Sequence, residues 1–151
     1  MVSTAEQTRS SITISATPAA VMTAIADVEA YPQWAGEVTR AEVLDRDTDG
    51  RPGRVRLQID AAAVRDEQIL TYRWDNDRTV SWSLESPTRM LHRLDGSYTL
   101  TATTAGATLV TYRLTVAVKA PLLDVLRRQA ERVILERALA GLARRVDAAD
   151  S

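Results

Sequence analysis

Cysteine is absent from the 151 residues, which excludes both disulfide staples and thiolate chemistry. A single histidine, His92, is too few for a multi-histidine metal site. Glycine is sparse and scattered through turns, so no glycine-rich phosphate loop exists. No apolar run approaches the roughly 20 residues needed to span a bilayer. The opening MVSTAEQTRS has no apolar stretch of the kind a secretory signal carries. These absences predict a cytoplasmic protein without integral membrane association. A formal net charge of −1 argues against a general electrostatic grip on nucleic acid. Phenylalanine is missing too, so Tyr31, Trp34, Tyr72, Trp74, Trp82, Tyr98 and Tyr112 are the whole aromatic set.

What is present fits an ordinary globular chain, with 45% hydrophobic and 26% charged residues. The length predicts one domain, residues 8–148, behind a flexible segment 1–7. Arg9 to Ser15 alternates apolar and polar residues, the period of a half-buried strand. Thr17-Pro18 reads as an N-cap and first helical position. Val21, Met22, Ile25 and Val28 then recur at helical spacing, predicting a helix from Pro18 to Asp27. Glu29 to Ala35 is a second short helix or turn. Strands are predicted over 38–47, 54–61, 65–75, 79–86, 91–103 and 108–119. Short turns separate them, which implies an antiparallel meander. Pro121 opens a long helix to Val146.

This order implies a hollow. A twisted antiparallel sheet of about seven strands must curl or be covered. Only one long helix is available, and a helix about 10 Å wide cannot fill a broad concave face. Large side chains or a cavity must take up the rest. Candidate lining residues on the apolar sheet face are Leu57, Ile59, Leu70, Tyr72, Trp74, Trp82, Leu84, Tyr98, Leu100 and Tyr112. Leu126 and Ala130 are the candidates from the helix. Tyrosine and tryptophan combine apolar bodies with polar tips, a mixture suited to an amphipathic ligand. The same residues could equally plug a solid core.

The C-terminal helix carries two stripes on nearly opposite sides. Leu122, Leu123, Leu126, Ala130, Val133 and Ile134 form the first. Leu135, Ala138, Leu139, Leu142 and Val146 form the second. Either the helix kinks near Val133–Leu135, or its first half covers a pocket mouth, meets a second subunit or packs under the short helices. Arg127, Arg128, Glu131, Arg144 and Arg145 read as its solvated side.

The segment Ala26-Asp27-Val28-Glu29-Ala30-Tyr31-Pro32-Gln33-Trp34 resembles the Asp-x-x-x-Tyr-Pro-x-Trp signature of the START-like superfamily, also called SRPBCC or polyketide cyclase/dehydrase-like. Gly96 to Leu100, Thr108 to Tyr112 and the C-terminal helix are similar to its last elements, so the resemblance covers almost the whole chain. It implies an α+β helix-grip (START/Bet v 1-like) fold. In that fold a curved antiparallel sheet wraps a long C-terminal helix, and two short helices lie between the first two strands. It leaves function open, because members include lipid carriers, quinone-binding proteins, plant allergens and aromatase/cyclases.

No catalytic constellation is visible, and neither a metal nor a cofactor is implied. The direction of His92 is ambiguous from sequence. Asp45, Asp47 and Asp49 lack the glutamate and length of a calcium loop and read as a solvated turn. Asp66 and Glu67 face opposite ways in a strand. Alternation turns Arg73 and Arg113 outward. Three functions compete. The first is binding or transport of a lipid, quinone or polyketide-like molecule by a monomer or homodimer. The second is a cyclase, aromatase or dehydratase in which His92, Tyr72, Tyr98 or Tyr112 acts as acid or base. The third is a partner-binding module built on the first helical stripe.

Overall fold

The computed structural model describes residues 7–61, 64–119 and 124–150. Its seven strands are β1 (Thr8–Ile14), β2 (Val38–Arg46), β3 (Pro52–Ala61), β4 (Val64–Asp75), β5 (Thr79–Leu84), β6 (Leu91–Ala102) and β7 (Thr108–Val118). They form one sheet in the order β1-β7-β6-β5-β4-β3-β2, with every pairing antiparallel. Five neighbouring pairs are hairpin neighbours in sequence. The exception places β1 beside β7, so the short helices between β1 and β2 must cross from one edge of the sheet to the other.

Those helices are α1 (Pro18–Ala26) and α2 (Tyr31–Trp34), joined by a 3-10 turn at Val28–Ala30. Thr17 caps α1 as its sequence demands, with extended backbone and a side-chain oxygen accepting the Ala20 N–H at 3.2 Å. Val21, Met22 and Ile25 are buried on the inner side of α1. The Tyr31 hydroxyl donates to the Ile25 carbonyl at 2.5 Å, tying α2 back to α1.

The long helix α3 runs as one α-helix from Asp124 to Asp150, four residues beyond the expected end at Val146. The expected start at Pro121, with Leu122 and Leu123, lies outside the described residues, as does the side chain of Leu126. The helix packs on β1, β7, α1 and α2. Its buried side is Glu131, Leu135, Leu139, Leu142 and Val146, a single stripe at 3–4 residue spacing.

The two-stripe reading is corrected here. Ala130 and Val133 are exposed, and of the first stripe's described members only Ile134 turns partly inward. Arg127 and Glu131 hold the buried positions instead, with side chains 11% and 4% exposed and the pair 3.2 Å apart. Glu131 also accepts from the Thr8 hydroxyl at 2.6 Å. Their charges suggested the solvated face, but mutual pairing and the β1 hydroxyl satisfy them where the helix meets the sheet edge.

Two glycines set close approaches. A Cβ on Gly141 would lie 2.1 Å from the Trp34 carbonyl oxygen, so α3 meets α2 at a distance only glycine permits. A Cβ on Gly96 would lie 2.4 Å from the Trp82 indole, which is seated across the β6 backbone.

Candidate functional site

Between the sheet and α3 lies a cavity of about 160 Å³. Strand alternation builds its walls. On β4, residues Asp66, Gln68, Leu70 and Tyr72 are all buried, while Arg65, Glu67 and Arg73 are exposed. Tyr72 pairs with Trp82, and Trp82 with Gly96. Tyr98 pairs with Tyr112. The missing side chain at Gly96 lets the Trp82 ring lie down among its neighbours. Its centroid is 5.6 Å from Tyr72, 5.3 Å from Tyr98 and 5.7 Å from Tyr112. The Tyr98 and Tyr112 rings are 4.6 Å apart. Such packed rings bring large apolar area with fixed orientation.

Seven of the residues expected from sequence line this cavity: Leu57, Ile59, Leu70, Tyr72, Trp82, Tyr98 and Tyr112. Three others on the sheet do not. Leu100 is buried in the core but off the cavity wall, and Leu84 is only half-buried. Trp74 stacks on Tyr72 at 5.7 Å, donates its indole N–H to the Pro52 carbonyl at 2.7 Å and lies under the Arg51 guanidinium. Alternation gave these three the right face but not their position along the strand, and they fall beyond the hollow. Ala130 faces solvent, one position away from the buried stripe.

Several wall residues are not among the sequence candidates. Tyr31 and Trp34, 5.1 Å apart edge to face, close one side together with Ala35, Glu37 and Val38. Helix α3 contributes Ile134 and Ala138, and the sheet adds Gln68, Leu94 and Leu114. Gln68 was visible in principle, because it shares parity with Leu70 and Tyr72.

The polar groups in the wall are unusual for so apolar a chamber. Among the described residues, no protein group hydrogen-bonds to the Gln68 amide or to the hydroxyls of Tyr98 and Tyr112, and all three residues are buried. The Trp34 indole N–H is buried without a partner as well. The Gln68, Tyr98 and Tyr112 groups keep access to the cavity space, whereas the Trp34 nitrogen is shut off from it. Burial raises the pKa of all four cavity tyrosines. Tyr72 is pushed up to about 12 by burial, with Tyr31 hydrogen bonding pulling partly the other way. Tyr31 and Tyr98 rise well above the usual phenol value through burial, reinforced by neighbouring phenols. Tyr112 is raised by burial, then by Tyr72 and by the Glu37 carboxylate. The phenols are therefore neutral donors and acceptors at physiological pH. Among the described residues Glu37 is the one charged wall residue. It is paired with Arg137 of α3 at 3.2 Å and stands where β2 begins.

The other sequence candidates fall away from the site. His92 is exposed. Asp47 caps its own turn, accepting the N–H of Asp49 at 2.9 Å and of Arg51 at 3.0 Å, while Asp45 pairs with Arg54. Among the described residues there is no cluster of metal-ligating side chains, and no helix is long and apolar enough to cross a membrane.

Comparison with known proteins agrees with this geometry. The family model described as "Polyketide cyclase / dehydrase and lipid transport" matches residues 14–143. No curated protein sequence matches the chain. A START superfamily protein from Mycobacterium smegmatis superposes with a TM-score of 0.86 at 22% identity, covering 93% of this chain and 97% of that one. A Thermus thermophilus protein gives 0.80 at 23% identity, covering 97% of this chain and 100% of that one. An aromatase/cyclase from a Streptomyces species gives 0.77 at 16% identity, covering 94% of this chain and 93% of that one. At these identities the likeness to solved structures concerns the fold.

Proposed function

The chain belongs to the polyketide cyclase/dehydrase and lipid transport family, and on that premise we propose that it binds or carries a neutral, hydrophobic or amphipathic small molecule in the cavity between sheet and α3. One observation carries the reading: an apolar, aromatic-walled chamber holds amide and phenol groups without partners among the described residues. A guest with one or two hydroxyl or carbonyl groups satisfies them, while its rings stack on Trp82 and the tyrosines. Charge narrows the class. Among the described residues the wall offers no unpaired cation, so the buried part of the guest is uncharged. Size narrows it further. An apolar cavity of about 150 Å³ holds benzene, so 160 Å³ encloses one ring or a short alkyl segment. A larger lipid, quinone or polyketide-like molecule places its remainder outside the chamber.

Native mass spectrometry of the purified protein, with organic extraction of what it carries, is the direct test. A bound neutral aromatic or lipid that is lost in Leu57→Trp, which fills the chamber, is the expected result. A wild-type protein that neither carries nor takes up such compounds would overturn the reading.

Cyclisation or dehydration of the bound molecule is the second reading, supported by the convergence of phenols on one chamber. Their raised pKa values make them weak acids and weaker bases at neutral pH, far from the matched values that general acid–base catalysis favours. Binding without turnover therefore fits the chamber better. Product formation from a poly-β-keto thioester, abolished in Tyr98→Phe or Tyr112→Phe, would reverse that preference.

A further inference from the structure

The outer face of the sheet carries a second feature. Four consecutive cross-strand pairs place Arg73 opposite Ser81, Ser81 opposite Ser97, Ser97 opposite Arg113, and Arg113 opposite Arg9. One straight row across β4, β5, β6, β7 and β1 thus reads Arg-Ser-Ser-Arg-Arg. It points away from the cavity, since each of these residues neighbours an inward one in its strand. Arg73 and Arg9 are exposed, and Arg113 is half-buried and steadied by donating to the Thr99 hydroxyl at 3.1 Å.

The row is anomalous in two respects. The other arginines on these strands have carboxylates, Arg65 with Asp60 and Arg93 with Asp95. Among the described residues, Arg9, Arg73 and Arg113 have none. Arg113 and Arg9 also stand directly opposite each other, and like charges so placed destabilise a sheet. Between Arg73 and Arg113 the two small serines leave a groove floored by hydroxyls, with Gln7 at one side. The groove's carboxylate, Asp95, is held by Arg93. Three strand spacings separate the flanking arginines by about 14 Å at the backbone. Two side chains of arginine length close that gap over a tetrahedral oxyanion.

We infer that this groove is a binding site for a phosphate oxyanion, clamped by the guanidiniums of Arg73 and Arg113 and seated on the hydroxyls of Ser81 and Ser97. Guanidinium forks match phosphate oxygens two at a time. The serine hydroxyls add donors at the floor, and Arg9 adds long-range attraction. The anion relieves the repulsion within the row. A soluble phosphate ester and the headgroup of an anionic lipid present the same chemistry.

The test is an NMR titration of the isotope-labelled full chain with inorganic pyrophosphate, at ionic strength held constant with sodium chloride. Saturable shifts centred on Ser81, Ser97, Arg73 and Arg113 are expected. Arg73→Gln and Arg113→Gln each weaken binding about tenfold, while Arg65→Gln leaves it unchanged. Co-sedimentation with phosphatidylcholine vesicles containing phosphatidylglycerol forms the second arm. Pyrophosphate saturation assigns a soluble source. Vesicle binding that needs Arg73 and Arg113, without pyrophosphate saturation, assigns a lipid headgroup. Neither response, or a response undiminished in the folded Arg73→Gln/Arg113→Gln variant, overturns the site. Since the row lies on the opposite face from the cavity, its failure leaves the reading of the cavity standing, and the reverse also holds.

Discussion

The two faces of β4 solve the problem of polar side chains in opposite ways. Outward, Arg65 pairs with Asp60, and Glu67 reaches Arg56. These are exposed ion pairs, while among the described residues Arg73, further along the same face, has no carboxylate. Inward, again among the described residues, Gln68 has no partner, and Asp66 keeps one buried oxygen unpartnered while the other accepts from Thr88 at 2.6 Å. Water makes an exposed unpaired group cheap, whereas burial makes it costly. The inward unpaired groups therefore need a reason that the outward Arg73 does not. Folding stability alone does not account for the inward ones.

The contrast can be pressed by four measurements. The largest effect is expected from alkali. A phenol whose folded pKa is raised favours the folded state in full below pH 10, and that contribution drains away as pH climbs towards the folded value, about 12 for Tyr72. The unfolded chain ionises first, so stability falls by about 1.4 kcal/mol per pH unit for each buried tyrosine. Denaturant midpoints should therefore be level through neutral pH and drop steeply above pH 10. A flat profile to pH 11 would contradict the burial of the four phenols. Next, Trp82→Ala removes the hub of the ring cluster and should cost about 3–5 kcal/mol, read from chemical denaturation. Gly96→Ala pushes on the same indole through the backbone and should cost about 1–3 kcal/mol, with an altered near-ultraviolet dichroism signal. Smallest of all, Arg56→Gln on the outer face should cost under about 1 kcal/mol despite breaking contacts to Glu42 and Glu67. A cost for Arg56→Gln matching that of Gly96→Ala would erase the distinction between the faces.

Much of this was legible before any coordinates. Period-two alternation and turn residues placed seven strands to within a few residues, and Thr17-Pro18 marked the start of α1. Parity also identified Leu70, Tyr72, Trp82, Tyr98 and Tyr112 as inward. Parity cannot say how far along a strand the hollow extends, which is why Trp74, Leu84 and Leu100 were included. Nor does it weigh polar residues, so Gln68 went unnoticed on an apolar row. The helix misled for a different reason. Arg127 and Glu131 occupy buried positions by neutralising each other, and a hydrophobicity pattern reads such positions as solvent-facing. Ala130 was drawn inward by that error. Gly96 and Gly141 were beyond reach, because their need for absent side chains arises from contacts with Trp82 and Trp34, distant in sequence.

The placement of the three indoles has a practical consequence. Trp34 and Trp82 stand in the chamber wall, whereas Trp74 is set apart beneath Arg51 and bonded to Pro52. Anything that enters the chamber changes the surroundings of two native fluorophores and leaves the third as an internal reference. The protein thus reports its own occupancy by light emission, without an added dye, and Trp74→Tyr would remove the constant background from that signal.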